Sequence, residues 1–212
     1  DVYKRQILKA VCNRLLIEVE LDTHSSKTSR DDREEPFRGG VHGLPGTGKS
    51  RVIKWIIRIF QEVMGWQHGR EFMCVAFQNK VAHAMEGYTL HTAGEVRVGQ
   101  QSYEVLLECR DIDSLYTKIE ANRWLIFDES FMNPDDLLGS FAHNIQQAAP
   151  QQNRYYQREN KELRFFGGFN FLMFGGTRQL PPIPETSALF IPPCGKTSVT
   201  AQGILDILWS NK

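Results

Sequence analysis

Cysteine is scarce and scattered: Cys12, Cys74, Cys109 and Cys194 are the only four in 212 residues, and none stands in a C-x-x-C pair. The six histidines supply no spaced partners either, so neither a zinc site nor a disulfide framework is indicated. Net charge is missing as well. Lys plus Arg and Asp plus Glu number 25 each, which removes any global electrostatic sign of a nucleic-acid partner and leaves that case to local features. No apolar run reaches the roughly 18 residues of a membrane span, and no signal peptide or internal repeat is visible. Free thiols without a targeting segment fit a soluble protein of a reducing, intracellular compartment, with no membrane partner. The chain opens on Asp1 rather than Met, as a piece of something longer would.

What is present suits an ordinary globular protein, with 41% hydrophobic and 24% charged residues. The length fits one domain over residues 1–212. Residues 3–19 carry Ile7, Val11, Leu15 and Ile17 or Val19 at near-helical spacing, which predicts an opening amphipathic helix. Residues 22–36, with no apolar side chain, read as a solvated flexible loop. Four apolar runs follow, at Gly39–Gly43, Phe72–Phe77, Trp124–Phe127 and Phe169–Phe174. They alternate with helical patterns, and strands buried on both faces read this way, so the expected fold is α/β with a largely parallel sheet flanked by helices. A helix from Lys49 places Ile53, Ile56, Ile57 and Phe60 inward, leaves Lys54, Arg58 and Gln61 to water, and ends at Gly65. A second amphipathic helix is expected within Tyr103–Ile119, and a flexible polar excursion over residues 146–164.

Chemistry concentrates in two places. "GLPGTGKS", Gly43 to Ser50, satisfies G-x-x-x-x-G-K-S/T between a strand and a strong helix. Gly43, Gly46 and Gly48 allow the tight turn that aims backbone N–H groups at phosphate oxygens, with Thr47 inside it. Lys49 then brings its charge to the β and γ phosphates, and Ser50 its hydroxyl to a magnesium shell. "WLIFDES" ends a strand on Asp128 and Glu129. Such a pair alone is more often a helix start than a catalytic pair, but beside a phosphate loop Asp128 suits magnesium, and Glu129 suits the base that activates water. Gln179, in "FGGTRQLPPIP", follows the last strand and can reach the same sheet edge, or it is a loop glutamine before a proline turn. Lys80, Thr89 and His91 can contact a sugar-phosphate backbone; alternatively Thr89 caps a helix and His91 packs beside it. "NRYYQR", Asn153 to Arg158, mixes bases with aromatics but reads better as a solvated loop.

In order, "GLPGTGKS", "VAFQNKVAHAMEGYTLHTAG", "WLIFDESFMN" and "FGGFNFLMFGGTRQLPPIP" resemble the first four motifs of the Pif-type DNA helicases of superfamily one, which include the helicases of Helitron transposons. The resemblance implies a RecA-like P-loop NTPase domain that binds ATP and magnesium. With a second such domain in cis it would move 5′ to 3′ along single-stranded DNA, in repair, recombination, telomere maintenance or transposition. It implies a nuclear, or mitochondrial, protein that is monomeric in isolation. It gives Lys49 and Ser50 to phosphate and magnesium, Asp128 to magnesium, Glu129 to the base and Gln179 to γ-phosphate sensing. Thr89 and His91 fall to single-stranded DNA, and Gln6 to the adenine. Two departures stand out. The family acid before the glutamine is replaced in Gly175-Gly176-Thr177, and the chain stops at "LWSNK", before the motifs that supply arginines. The isolated chain is therefore expected to bind ATP but hydrolyse it poorly. A P-loop ATPase of another class that does not act on DNA, and a degenerate transposon-derived domain without turnover, are the rival readings.

Overall fold

Three apolar runs, Phe72–Ala76, Trp124–Asp128 and Asn170–Gly175, are buried at every position, which is possible only for strands covered on both faces. The structure, a computed structural model, describes residues 2–24, 35–97, 109–149 and 164–176. Its elements are α1 (Val2–His24), β1 (Arg38–His42), α2 (Lys49–Arg58), β2 (Phe72–Ala76), α3 (Asn79–Ala84), β3 (Tyr88–Thr89), α4 (Leu90–Ala93), α5 (Cys109–Ile119), β4 (Trp124–Asp128), α6 (Asp135–Ala148) and β5 (Asn170–Gly175). A π-helical turn, Ile59–Val63, prolongs α2, and Gly65 beyond it is left-handed at φ 68°.

The five strands form one all-parallel sheet in the order β1-β5-β4-β2-β3. Because side chains alternate along a strand, each central strand feeds two cores. Met73, Val75, Leu125, Phe127, Phe171 and Met173 face α4, α5 and α6. Phe72, Cys74, Trp124, Ile126, Leu172 and Phe174 face α1, α2 and α3. Burial pushes the Cys74 thiol up to about 12, so it is an inert core residue.

The opening helix runs further than its spacing predicts. It extends through His24, three residues into the segment expected to be loop, and Asp22 pairs with Arg123 at 2.6 Å. Its inward line is Val11, Arg14, Leu15 and Glu18, while Val19, expected inside, is 42% exposed. Glu18 is buried because it is satisfied: it accepts hydrogen bonds from Arg14, from Asn170 Nδ2 and from Trp124 Nε1. Burial still raises its carboxyl above the ordinary range, against the opposing pull of Arg14 and these donors. Asn170 in turn accepts the Phe37 N–H at 2.7 Å. These bonds pin α1 to the starts of β4 and β5, and thereby fix where its other end points. Pro36 is buried at the end of the same expected loop; residues 25–34 lie outside the described residues.

α6 was not foreseen. Ten of its fourteen residues are buried, including Asp135, Ser140 and Asn144, so it lacks the polar face that makes a helix visible as a periodicity. Its last turn takes in residues 146–148 of the polar excursion expected from Gln146, and residues 150–163 are outside the described set. Two-residue β3 was also missed, being too short to show an alternation.

Candidate nucleotide site

The carboxyl ends of β1, β4 and β5 meet at one edge of the sheet, where parallel α/β folds open their binding crevice. β1 ends at His42, and the Gly43 N–H donates to the Gly175 carbonyl at 3.1 Å, extending the ladder by one step into the loop. The loop then folds on itself: the Thr47 N–H and hydroxyl both donate to the Leu44 carbonyl, at 3.3 and 2.9 Å. Gly46 and Gly48 adopt φ of 79° and 87°, a left-handed backbone that costs other residues about 1 kcal/mol or more. Gly48 is the N-cap of α2 and supplies no side-chain cap, and the first turn carries no acid. The amide groups that begin α2 are thus left for an anion. Lys49 bends back over the loop and donates to the Gly43 and Leu44 carbonyls, at 2.8 and 3.1 Å.

Asp128 closes β4, in register with Ala76 of β2, and is 5% exposed. Its carboxylate accepts the Glu129 N–H at 2.9 Å, and Ser50 lies close enough to stabilise its charge. Burial raises its carboxyl, while the Glu129 amide, the Lys49 charge and Ser50 pull it back. Glu129, half-buried beside it, is raised by burial and then by the Asp128 charge, with Lys49 opposing. Lys49, Ser50, Asp128 and Glu129 are therefore brought together from two separate strand ends. The donor set suits magnesium: a hydroxyl and a carboxylate leave room for phosphate oxygens and waters in an octahedral shell. Among the described residues no group of three or more His, Cys, Asp or Glu could hold an ion by itself.

Glu129 is left-handed, with φ 53° and ψ 35°. Phe131, two residues on, stacks on His42 at 4.6 Å and lies against Gly175, where an added Cβ would meet its ring at 2.0 Å. That contact explains one of the two glycines in "FGGTRQLPPIP". Phe131 was missed by sequence reasoning, since nothing in its spacing marks it. Gln179 lies outside the described residues, and Gln6 is exposed on the first turns of α1.

The segment expected at DNA sits across the sheet, after β2. Lys80 is exposed on α3. Thr89 pairs with Ala76 and its hydroxyl accepts the Thr92 N–H at 3.2 Å, so the capping role is the one the fold displays. His91 is partly buried, and that burial lowers its pKa. The segment is held from below: Asn144 of α6 donates to the Gly94 carbonyl at 2.9 Å, and Glu95 accepts from Ser114 and Lys118 of α5. These anchors had no sequence signal, being single polar residues on other helices.

A family model, that of the AAA domain, matches residues 38–184. The chain belongs to the AAA domain family. The matched AAA domain starts with β1, so α1 lies outside it. Solved structures with the same fold include the Pif1 helicase from Candida albicans, 24% identical with a TM-score of 0.53, covering 71% of this chain and 33% of that one. Bacteroides Pif1 bound to ssDNA is 22% identical with a TM-score of 0.53, covering 84% and 34%. Bacteroides Pif1 helicase in complex with ADP-AlF3 and ssDNA is 22% identical with a TM-score of 0.50, covering 83% and 34%. The chain spans about a third of the length of these structures. No curated protein matches it. The expected RecA-like architecture is borne out, and solved Pif1 helicases share it. No helix among the described residues is long and apolar enough to cross a membrane.

Proposed function

We propose that this chain is the ATP-binding motor half of a Pif-type DNA helicase, hydrolysing ATP to move 5′ to 3′ along single-stranded DNA. The observation that carries the reading is the meeting of a complete phosphate loop with a buried carboxylate: Lys49 and Ser50 lie close enough to Asp128 to stabilise its charge, and Glu129 follows it. Support also comes from the fold, shared with Pif1 helicases whose crystals held ssDNA and ADP-AlF3.

In this reading the α2 amides and the loop bind the phosphates, and Lys49 exchanges the Gly43 and Leu44 carbonyls for β- and γ-phosphate oxygens. Ser50 and Asp128 would hold magnesium, which when bound offsets the charge of the β and γ oxygens. Glu129 orients the attacking water and takes its proton as the oxygen joins phosphorus and ADP leaves, Asp128 being committed to the magnesium. Gln179 senses the γ phosphate, Gln6 the adenine, and Lys80, Thr89 and His91 meet the sugar-phosphate backbone. A second motor domain in the longer protein supplies the arginines for the transition state, worth roughly a thousandfold or more in rate. The isolated chain, a monomer, then binds ATP and turns it over slowly. Nuclear or mitochondrial work in repair, recombination, telomere maintenance or transposition follows from the Pif-type reading.

Calorimetry with Mg-ATP tests the site: Lys49→Ala should abolish binding, and retained affinity removes the loop from the reading. In the longer protein, ATPase activity that single-stranded DNA fails to stimulate would exclude a helicase and favour a P-loop ATPase of another class. Gly176, where the family has an acid, favours one further reading, a degenerate transposon-derived domain. Gly176→Asp in the longer protein leaving turnover near zero would support it.

A further inference from the structure

Phe131 fills a notch that a glycine leaves in the sheet edge. His42 and Gly175 are register partners on β1 and β5, so their side-chain positions lie on one face of the sheet. Gly175 leaves its position empty and the Phe131 ring takes it. The ring stacks on His42 with centroids 4.6 Å apart and planes 28° from parallel, and a Cβ on Gly175 would meet it at 2.0 Å. At 7% exposure the ring is enclosed as well as seated.

That seat bears on Glu129, two residues earlier. Asp128 is held in the ladder by pairing with Ala76, whereas Glu129 is the first residue beyond β4 and its backbone is left-handed. A residue other than glycine keeps such a conformation, at about 1 kcal/mol or more, only where its surroundings impose it. On the strand side the Asp128 carboxylate takes the Glu129 N–H, and the Ser130 hydroxyl donates to the Phe127 carbonyl at 3.4 Å. On the far side the turn Ser130–Met132 closes with the Asn133 N–H on the Ser130 carbonyl at 3.2 Å, and Phe131, in the middle of that turn, ties it to β1 and β5. The ring belongs to the core on the α4, α5 and α6 face of the sheet, while α2, which begins with Lys49 and Ser50, packs on the other face. A change at Phe131 therefore reaches Glu129 by a route that includes neither Lys49 nor Ser50.

We infer that Phe131 is a positioning residue for hydrolysis: seated on the His42–Gly175 pair, it holds the turn that aims Glu129 and takes no part in binding nucleotide. The inference rests on the reading of Glu129 as the base. Loosening the seat lets the Glu129 backbone relax out of the left-handed region, which swings its carboxylate away from the water it activates. Misplacement of a catalytic group by about 1 Å costs roughly a hundredfold in rate.

The test compares Phe131→Leu, His42→Ala and His42→Phe in the longer protein by single-turnover hydrolysis of radiolabelled ATP, with Mg-ATP calorimetry on the same variants. Leucine keeps the ring's place apolar but cannot stack, and His42 is exposed, so its variants keep the fold even where Phe131→Leu does not. Phe131→Leu should slow hydrolysis about thirtyfold with Mg-ATP affinity within about threefold of the parent. His42→Ala should slow it about fivefold, and His42→Phe, which restores a ring to the stack, should come within about twofold of the parent. In a Glu129→Gln background these changes should have no further effect, because the group they position is gone. An unchanged rate in Phe131→Leu or in His42→Ala overturns the inference and leaves the base reading standing. So does a rate lost together with Mg-ATP affinity, a loss that persists in full on top of Glu129→Gln, or a His42→Phe variant as slow as His42→Ala. Near-normal hydrolysis in Glu129→Gln removes the base reading, and the inference with it.

Discussion

Gly175→Ala puts one methyl group where the fold has no room for it. The added Cβ would lie 2.0, 2.6 and 2.9 Å from Cδ2, Cε2 and Cγ of Phe131, against an ordinary contact of 3.4 Å or more, so the ring must retreat by about 1.4 Å. It is poorly placed to do so, being 7% exposed and stacked on His42. Overpacking of a constrained site costs about 1–3 kcal/mol, and the depth of this overlap puts Gly175→Ala near the upper end. Phe131→Ala alone loses a mostly buried ring, at about 3 kcal/mol. In the double variant the ring is gone and the methyl group fits, so the two costs should fall short of their sum by about 2 kcal/mol. Urea unfolding followed by fluorescence reads this directly, since Trp124 is fully buried in the core. The midpoint of Gly175→Ala should drop by about 1 M at unchanged slope. A drop below about 0.2 M, or additive costs in the double variant, would refute the wedge that joins the strand before Gln179 to the turn after Glu129.

Three other outcomes are expected. His68 accepts the Cys74 N–H through Nε2 at 3.0 Å, and burial lowers its pKa below 6.5 with Glu86 opposing; its stabilising share is complete above that value and is lost as pH falls through the folded pKa. Because Asp128, Glu129 and Glu18 are raised and act in the opposite sense, the check is the difference in urea midpoint between the parent and His68→Gln, which should shrink or reverse between pH 7.5 and pH 5.5 (about one unit either side of the free value). In Gly87→Ala the new Cβ lies 2.4 Å from the Cys74 carbonyl oxygen and must lift β3 from β2; a loss of about 2 kcal/mol should accompany weaker single-stranded DNA binding by anisotropy, with Mg-ATP binding intact. Glu129→Gln in the longer protein should bind Mg-ATP normally and lose hydrolysis, and near-normal turnover in a phosphate-release assay would take Glu129 out of the base role.

Sequence patterns are legible where one physical requirement dominates. β2, β4 and β5 were visible because strands covered on both faces must be apolar at every position, and α2 because it has one wet face and one dry one. The loop was visible because left-handed backbone and phosphate access leave few residue choices at Gly46 and Gly48. What escaped was decided by tertiary contact. α6 lies in a pocket that buries Asp135, Ser140 and Asn144 along with its apolar residues. α1 continues past its apolar stripe because Glu18 finds three donors from residues more than a hundred positions away or one turn back. At the site, the nearness of Lys49 and Ser50 to Asp128 could be expected from motif logic, whereas the Phe131 wedge against Gly175 and the reach of Lys4 to Gly48 depend on packing between elements that no local pattern relates.

On the proposed reading of Glu129 as the base, its left-handed backbone sets stability against turnover. A left-handed glutamate costs about 1 kcal/mol over glycine or asparagine there, and its neighbour Asp128 carries a further penalty as a buried charge. A library of this chain sorted only for heat resistance should therefore enrich Gly or Asn at 129 and Asn at 128, drifting toward a more durable protein that binds nucleotide and does nothing with it.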